Sequence, residues 1–477
     1  MRVHVDGYVW LPTGSLTQNQ KNNLKNALTV WPSAATGFPG KTRPAPIMLY
    51  KEQGNRLGVA REFFRQFSKD KHEEVVNVSD GEPMSDFISL MRFEGPFAEQ
   101  GKAIERMMRY TEEHEWGGFL LKAGCGFGKT NTALEFARRL GRRTLILVHK
   151  EFFLRQWKER IEDFFPGARI GIIQGPKCDV VGKDFVIGMM QSLAADDGTK
   201  YPEEIYRSFG LVISDECHRI GAQTWSNLVP KFASRYRLGL TATPRRKDSA
   251  ENVFKYHLGE ILYSATTRAL IPKIRRMFTD TELKPQRVGG SLTKADRLQH
   301  VQVLSQLVKN PSRNKMIVDD IAEAVRKGRK VMVVSERKSH LEEIDKQLMT
   351  RLYVMGLDFD PIVDFYVGGR KEHDLVKAEK ANVVLATKQM VEEGLDIPAI
   401  DVLVLATPMS DVEQTVGRVR RHCKPSDSKC KHLCPWRAGS CEGKPDPIVV
   451  DVIDGRTSQG KRKYSKRMKF YSSIGAS

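Results

Sequence analysis

The stretch 118-GFLLKAGCGFGKTNTALEFARRLG-141 decides the fold of this chain. It opens with a short apolar run of the length expected for a buried strand. A glycine-rich turn follows, and the remaining residues carry apolar side chains at helical spacing, closed by Gly141. A strand, a tight turn and a helix in this order predict one repeat of a parallel α/β sheet.

The turn itself, AGCGFGKT at 123–130, predicts a phosphate-binding site. Lys129 is expected to reach the β- and γ-phosphates of a nucleotide, and the Thr130 hydroxyl to hold Mg²⁺. The positive end of the following helix favours the same anion. The alternative is a glycine turn without a ligand, which the preceding strand and the Lys-Thr pair disfavour. Backbone N–H groups can face the phosphates because three of the positions are glycines, Gly124, Gly126 and Gly128.

Apolar strands and helices alternate on both sides of this stretch, which predicts parallel sheets covered on both faces. A first series of strands follows the turn: TLILVHK (144–150), DFVIGMM (184–190), LVISDE (211–216) and RLGLTA (237–242). A second series comes later: KVMVVS (330–335), IVDFYVG (362–368), NVVLAT (382–387), VLVLATP (402–408) and PIVVDVID (447–454). Two series predict two α/β domains that meet near 267–272.

The first 90 residues differ, because short mixed runs alternate with Pro/Gly-rich turns. They predict a small α+β module, joined to the rest by a linker at 79–83. The expected organisation is therefore an N-terminal module at 1–90, α/β domains at 91–268 and 269–455, and a basic tail at 456–477.

Two adjacent carboxylates end the apolar run LVISDECH (211–218). Asp215 is expected to bind Mg²⁺, and Glu216 to orient and deprotonate an attacking water. His218 is expected to contact groups that sense the γ-phosphate. An acidic turn in solvent is the alternative, which the phosphate-binding turn about 85 residues earlier makes less attractive.

The order of these motifs resembles superfamily 2 helicases and translocases, which implies ATP hydrolysis with Mg²⁺ by two tandem RecA-like domains. Thr241 and Thr243, in TATP (241–244), resemble the motif that couples the ATP state to the grip on nucleic acid. ATKQMVEEGLDIP (386–398) resembles the fifth motif. The resemblance implies that Thr387 contacts the nucleic-acid backbone, and that the nucleotide is faced by Gly394 and Asp396.

QTVGRVRR (414–421) resembles the sixth motif, in which Gln414 would take part in coupling. Arg418 and Arg421 stand at its arginine-finger positions, where they would neutralise γ-phosphate charge. A basic helix face paired with acids is the alternative for these arginines. Gln100, about 29 residues before Lys129, is expected to read adenine, against the alternative of a surface glutamine.

Further stretches, among them 147–157, 184–193 and 236–248, are similar to the branch of the nucleotide-excision-repair helicase and the phage fork-remodelling helicases. That similarity implies an ATP-dependent DNA helicase or duplex translocase on forked or branched DNA, of 3′→5′ polarity, with an N-terminal DNA-recognition domain. Two alternatives stay open. One is an RNA-directed or transcript-release helicase, and the other is a DNA-binding ATPase switch that separates no strands.

Four cysteines fall within 19 residues of an insertion at 422–445, with the spacing C-x6-C-x3-C-x6-C. Four thiolates suit a tetrahedral structural Zn²⁺, and the segment has few apolar residues to hold it otherwise. An iron–sulfur cluster and unligated thiols remain alternatives, with His422 and His432 as other candidate ligands. The four are Cys423, Cys430, Cys434 and Cys441.

The chain is strongly basic, with 77 Lys+Arg against 58 Asp+Glu and a net charge of +19. Such an excess favours a polyanionic partner, nucleic acid before an acidic membrane surface. No apolar run approaches the roughly 18–20 residues of a membrane span, and the start lacks a secretory signal. We therefore expect a cytoplasmic protein without a membrane partner. The last 23 residues hold seven Lys/Arg and no acid, and with Tyr464, Phe470 and Tyr471 they predict an additional backbone contact.

Overall fold

The computed structural model describes most of the chain and divides it into two compact units. Unit 1 is Met1–Thr267 and unit 2 is Arg268–Ser477. The described residues are 1–32, 45–68, 72–124, 126–217, 222–242, 251–265, 270–288, 291–293, 299–393, 395, 397, 399–420 and 445–476.

The N-terminal module of unit 1 forms a five-stranded sheet in the order β5-β6-β2-β1-β7. Its neighbouring strands are antiparallel except β1 and β7, which pair in parallel across about seventy residues of chain. The elements are β1 (Arg2–Val5), β2 (Val9–Pro12), α1 (Gln18–Ala27), β3 (Thr29–Val30), β4 (Ile47–Met48), β5 (Tyr50–Gln53), β6 (Arg56–Val59), α2 (Arg61–Phe67) and β7 (Glu73–Val76).

The rest of unit 1 is an eight-stranded sheet in the order β11-β10-β12-β9-β13-β14-β8-β15. All neighbours are parallel except β10 and β11. The elements are α3 (Ala98–Glu113), β8 (Gly117–Lys122), α4 (Lys129–Leu140), β9 (Thr144–Val148), α5 (Glu151–Phe164), β10 (Ile170–Gln174), β11 (Lys177–Cys178), β12 (Phe185–Met189), α6 (Met190–Leu193), α7 (Glu203–Tyr206), β13 (Leu211–Ser214), α8 (Ala222–Leu228), β14 (Tyr236–Thr241), α9 (Glu251–Leu258) and β15 (Ile261–Ser264).

This sheet is buried on both faces, as its apolar strands predict. Along β9, Leu145 and Leu147 pack into one hydrophobic cluster, while Ile146 and Val148 pack into another. The second cluster contains side chains of α3, α4 and α5. The first also contains Val3, Leu57 and other buried residues of the N-terminal module. The module and the parallel sheet therefore share one hydrophobic core.

The segment 79–83, expected to be a linker, is an extended strip bonded to the large sheet rather than a free tether. The Ser79 N–H donates to the carbonyl of Ala233 at 2.6 Å, and the Arg143 N–H donates to the carbonyl of Glu82 at 2.7 Å. Gly81 lies at φ +65°, and a Cβ there would come within 2.3 Å of the Gly210 nitrogen. Only glycine fits this position, because the two backbones nearly touch.

Buried arginines reinforce the junction between module and sheet. The guanidinium of Arg61 donates to the carbonyls of Ser234 and Arg235 at 2.7 and 2.9 Å. The guanidinium of Arg237 donates to the carbonyls of Gly7 and Phe232 at 3.0 and 2.8 Å. Burial lowers the pKa of Arg61 to about 10 and that of Arg237 well below its ordinary value. These carbonyls satisfy donors that would be costly to leave unpaired in the interior.

Unit 2 is built on a six-stranded, wholly parallel sheet in the order β16-β23-β22-β19-β21-β20. A two-stranded antiparallel ribbon, β17 with β18, stands apart from it. The elements are β16 (Lys273–Phe278), β17 (Gln286–Val288), β18 (Ser291–Thr293), α10 (His300–Leu307), α11 (Pro311–Arg326), β19 (Val331–Ser335), α12 (Lys338–Met355), β20 (Val363–Tyr366), α13 (Glu372–Ala378), β21 (Val383–Thr387), α14 (Lys388–Glu393), β22 (Val402–Leu405), α15 (Glu413–Val419), β23 (Ile448–Ile453) and α16 (Ser458–Ser473).

The basic C-terminal segment is a helix docked on unit 2, not an extended tail. Arg467 is buried and pairs with Asp451 at 2.8 Å, and it also donates to the carbonyl of Met409 at 2.6 Å. Tyr471 is fully buried and donates its hydroxyl to Asp451 at 3.1 Å. The ring of Tyr471 belongs to the core, so the predicted backbone contact of this segment would have to come from its exposed side chains.

The expected fold class, two parallel-sheet α/β domains of the RecA type preceded by a small α+β region, is confirmed. The predicted strand runs all form strands of the two large sheets. Among the described residues, no helix combines the length and the apolarity that crossing a membrane requires.

Candidate functional site

The glycine turn after β8 forms a loop that opens directly into α4. The Ala123 N–H donates to the carbonyl of Thr241 at 3.0 Å, which ties the turn to the end of β14. Gly126 and Gly128 lie at φ +87° and +89°. A Cβ at Gly128 would come within 2.6 Å of the Gln100 amide nitrogen. Both this contact and the positive φ therefore exclude a side chain at this position. The turn thus leaves backbone N–H groups at a helix N-terminus, where an anion is favoured.

Lys129 begins α4 and lies at the centre of the site. Its Nζ donates to the carbonyl of Ala123 at 3.0 Å and lies 4.0 Å from Oε1 of Glu216. The side chain is only 12% exposed, so its charge acts in a partly desolvated setting. One ammonium therefore connects the phosphate-binding turn to the carboxylate pair after β13.

Asp215 is held on both of its oxygens. The main-chain N–H of Glu216 donates to Oδ1 at 2.9 Å, and the indole N–H of Trp157 donates to Oδ2 at 2.9 Å. Burial and, to a smaller extent, the neighbouring Glu216 charge raise the pKa of Asp215 to about 6, against the opposing effects of the Trp157 bond and Lys129. The position of this carboxylate is therefore fixed by its own turn and by Trp157 of α5.

Glu216 has a left-handed backbone conformation, at φ +45°. Residues other than glycine adopt this region rarely, at a cost of about 1–3 kcal/mol, and such residues cluster at functional sites. The turn redirects the chain directly after β13, and it places the Glu216 carboxylate toward Lys129.

Gln100 is buried on α3, so the alternative of a surface glutamine is wrong. Its amide nitrogen donates to the carbonyl of Phe127 at 2.6 Å, which fixes it against the phosphate-binding turn. That position is compatible with a glutamine beside a nucleotide, and its reading of adenine stays a prediction.

In unit 2, Arg418 lies on α15 and bonds to the end of α14. Its Nε donates to the carbonyl of Val391 at 3.0 Å, and one terminal nitrogen donates to the carbonyl of Glu392 at 3.2 Å. Gln414 is half-buried one turn earlier on the same helix. The structure thus brings the expected fifth and sixth motifs together, since α14 belongs to one and α15 to the other.

Thr387 ends β21 and is half-buried beside a small polar network. Glu336, directly after β19, lies 2.7 Å from His300 and 4.0 Å from Lys388. Lys463 of α16 reaches the same His300 ring at 3.0 Å and donates to the carbonyl of Pro408 at 2.8 Å. Burial lowers the pKa of Lys463 to about 8. Sequence reasoning missed this network because its members come from four separate segments.

Several predicted site residues lie outside the described residues, and their roles stay predictions. Within the described part of the chain, no group of three or more His, Cys, Asp and Glu side chains is arranged to hold a metal. The residues outside that part are His218, Thr243, Gly394, Asp396, Arg421, Cys423, Cys430, Cys434 and Cys441.

The described residues of unit 1 fit a magnesium–nucleotide complex. A carboxylate at Asp215 and a hydroxyl at Thr130, in the first turn of α4, are the hard oxygen ligands that Mg²⁺ prefers. The raised pKa of Asp215, beside a second carboxylate, shows that a cation here would relieve both burial and repulsion.

Trp157 is the residue of this site that sequence reasoning missed. It lies on α5, 58 positions before its partner Asp215, and it is 1% exposed. The available signal was a tryptophan in the helix LRQWKERI (154–161) after a predicted strand. Such a tryptophan is normally interpreted as a core residue. The sequence does not show how α5 docks on the sheet, and therefore does not show where the indole nitrogen lies.

The chain is similar to several known proteins. Residues 95–246 match the family model described as type III restriction enzyme, res subunit. A protein of Acanthamoeba polyphaga mimivirus, provisionally named an ATP-dependent RNA helicase, is 28% identical over 94% of this chain and 80% of its own length. A protein of Escherichia phage T5, provisionally named a helicase, is 27% identical over 73% of this chain and 70% of its own length.

Among solved structures, a fragment of a provisionally assigned HsdR subunit of a type I restriction enzyme from Vibrio vulnificus YJ016 shares the fold. It aligns with a TM-score of 0.52 at 18% identity, over 78% of this chain and 70% of that one. The relatives and the order of the motifs support the resemblance to superfamily 2 helicases and indicate an ATP-dependent nucleic-acid helicase.

Proposed function

We propose that this helicase is a DNA motor that uses ATP hydrolysis to move along and remodel forked or branched DNA, with 3′→5′ polarity. The observation that carries the motor function is the arrangement of Lys129, Asp215 and Glu216 around the glycine turn of unit 1. The choice of DNA is supported by the similarity of the sequence to fork-remodelling and excision-repair helicases.

In unit 1, binding begins at the glycine turn, whose N–H groups and helix N-terminus receive the phosphates. Lys129 exchanges its bond to the Ala123 carbonyl for phosphate oxygens. Thr130 and Asp215 would hold Mg²⁺, which supplies charge neutralisation at the phosphates. Glu216 accepts a proton from the attacking water, and Gln100 contacts the base from its position against the turn.

In unit 2, Arg418 and Arg421 supply positive charge to the γ-phosphate in the transition state, with Gln414 coupling that state to the grip on DNA. The bonds from Arg418 to α14 would place this arginine under the control of the fifth motif. Thr387, at the start of that motif, contacts the DNA backbone. Thr241, Thr243 and His218 perform the corresponding coupling in unit 1.

The exposed face of α16 supports a polyanionic track. The helix is anchored through Arg467 and Tyr471, and it contains no acidic residue between Ser458 and Ser473. Among the described residues, no acidic side chain lies within ion-pair distance of its exposed cations. Such a stripe suits a phosphate backbone. The exposed cations are Lys461, Arg462, Lys466 and Lys469.

Neutralising these four cations to glutamine is expected to lower DNA affinity and to flatten its salt dependence. Each lost phosphate contact reduces the slope of log K against log [salt] by about 0.9 for duplex DNA. Four exposed lysines elsewhere on unit 2 provide the matched control, Lys309, Lys315, Lys346 and Lys371. An equal salt dependence in the two quadruple variants would contradict the proposal that α16 contacts the DNA backbone.

We further propose that the insertion at 422–445 is held by Zn²⁺ through its four cysteines, Cys423, Cys430, Cys434 and Cys441. Elemental analysis of the purified chain is expected to return one zinc per molecule. Iron, or no metal after purification under reducing conditions, would overturn this proposal.

The experiment that tests DNA remodelling is strand displacement on matched substrates. The helicase is expected to unwind or regress forked DNA in an ATP-dependent manner, and to act more slowly on an RNA duplex of the same sequence. Faster action on RNA would favour the second candidate, an RNA-directed helicase, which the name of the mimivirus relative supports.

The third candidate, an ATPase switch that separates no strands, is distinguished by adding a triplex-displacement substrate. A motor is expected to displace the third strand as it moves. Displacement without fork unwinding would indicate a duplex translocase, and ATP hydrolysis with neither activity would indicate a switch.

A further inference from the structure

Helix α5 connects the interior of unit 1 to the acidic end of β13. Trp157 lies in its middle and packs in the same hydrophobic cluster as Ile187, Ile213 and Leu154. Its ring is 1% exposed, yet its indole N–H points at the Oδ2 atom of Asp215, 2.9 Å away. A buried indole N–H needs an acceptor, and here the acceptor is the carboxylate at the centre of the site.

The geometry at Asp215 leaves little freedom to that carboxylate. One oxygen is bound by the N–H of Glu216, which is part of the same turn, so this bond alone does not anchor the turn to the sheet. The other oxygen is bound by Trp157, which is fixed by its burial in α5. Trp157 is therefore the hydrogen-bond donor that fixes the Asp215 carboxylate relative to the rest of unit 1.

We propose that Trp157 is a positioning residue that orients the Asp215 carboxylate toward the magnesium ion of the bound nucleotide. The inference rests on the proposed nucleotide chemistry of unit 1 and adds to it a residue outside the motifs. Groups that hold a metal-binding side chain in place affect metal affinity strongly, typically by about 10- to 100-fold. Trp157 contributes to Mg²⁺ binding through its indole N–H, whereas the rest of its ring contributes only to packing.

The same unit contains a matched control. Trp116 is also buried, at 3% exposure, and its indole N–H also donates to a carboxylate, Oε2 of Glu74, at 2.9 Å. That bond joins the parallel sheet to the N-terminal module and lies outside the nucleotide site. Trp157→Phe and Trp116→Phe therefore remove the same bond from the same kind of setting, and only the first touches Asp215.

The test measures binding of a fluorescent ADP analogue to the full-length chain as Mg²⁺ is titrated. Trp157→Phe is expected to raise the Mg²⁺ concentration at half-saturation by about tenfold, with metal-free binding in EDTA unchanged. Trp116→Phe is expected to match the wild type in both. In steady-state hydrolysis, high Mg²⁺ is expected to restore most of the kcat of Trp157→Phe.

An unchanged Mg²⁺ requirement in Trp157→Phe, or an equal shift in Trp116→Phe, would overturn the role of Trp157. A wild-type chain that binds no nucleotide would instead overturn the proposed function. If Trp157→Phe fails to fold, the isostere in which sulfur replaces the indole N–H can be placed at position 157. It retains the ring shape and removes only the donor, so its Mg²⁺ requirement decides the same question.

Discussion

The functional edges of the two units are organised differently. In unit 1 the functional side chains contact one another: Lys129 lies beside Glu216, and Trp157 bonds to Asp215. In unit 2, Arg418 bonds to main-chain carbonyls at the end of α14. The arrangement of unit 1 is therefore set by its own side chains, whereas the position of Arg418 depends on a short helix. The proposed nucleotide site of unit 1 therefore depends on contacts between its side chains, and the proposed arginine finger of unit 2 on contacts with the main chain.

The largest effect is expected from Arg418→Ala, which removes the proposed arginine finger of unit 2. An arginine that neutralises transition-state charge contributes about 10³-fold or more to phosphoryl transfer. We expect kcat for DNA-stimulated ATP hydrolysis to fall by about that factor, with nucleotide affinity nearly unchanged. The neighbouring Arg420, which also donates to a carbonyl, that of Leu270 at 3.0 Å, supplies the control. Similar losses in Arg420→Ala and Arg418→Ala would contradict the assignment.

Lys129→Ala removes the lysine at the centre of the proposed nucleotide site in unit 1. The loss of one preorganised charged donor lowers turnover by about 10²- to 10³-fold, and here it is expected to weaken nucleotide binding as well. Steady-state kinetics and nucleotide titration check both effects. Lys102→Ala, an exposed lysine on α3, is the control. Wild-type turnover in Lys129→Ala, with an intact fold by circular dichroism, would sink the assignment of the site.

The two units also differ in how they bury arginine, and unfolding measurements can sharpen this contrast. In unit 2, Arg467→Met leaves Asp451 buried without its cation, which typically costs about 3–5 kcal/mol. In unit 1, Arg61→Met leaves two main-chain carbonyls without a donor, at about 1–3 kcal/mol, while the neighbouring buried Glu62 keeps its ion pair with Arg65. In urea unfolding, Arg467→Met is expected to lose more free energy of unfolding than Arg61→Met. The reverse order would contradict the difference proposed between the two buried arginines.

The smallest expected effect is a decrease in the free energy of unfolding as the pH falls. Burial lowers the pKa of His257 in unit 1 and of His340 in unit 2 to about 3, from an ordinary 6.5. Between these values the unfolded chain binds more protons, so stability decreases as the pH falls. Each histidine is expected to cost about 1.4 kcal/mol per pH unit below 6. Between pH 7 and 5 the unfolding free energy of His257→Leu should depend less steeply on pH than that of the wild type, by a difference that approaches one proton at pH 5. An unchanged pH dependence would exclude His257.

The sequence predicted the strands of both large sheets and the phosphate-binding turn, because apolar runs and glycine turns are local signals. It did not predict the contact of Trp157 with Asp215, since that depends on how α5 docks on the sheet. The parallel pairing of β1 with β7 was equally hidden, because it joins segments about seventy residues apart. The burial of Tyr471 was not predicted either, because composition alone does not show which face of a basic helix is buried.

The most direct test of the central claim is the rate of ATP hydrolysis by the wild-type chain with and without nucleic acid. We expect Mg²⁺-dependent hydrolysis that forked DNA stimulates, and that single-stranded RNA stimulates less. A rate that is the same with and without any nucleic acid, or no hydrolysis at all, would contradict the claim that this chain is an ATP-driven DNA motor.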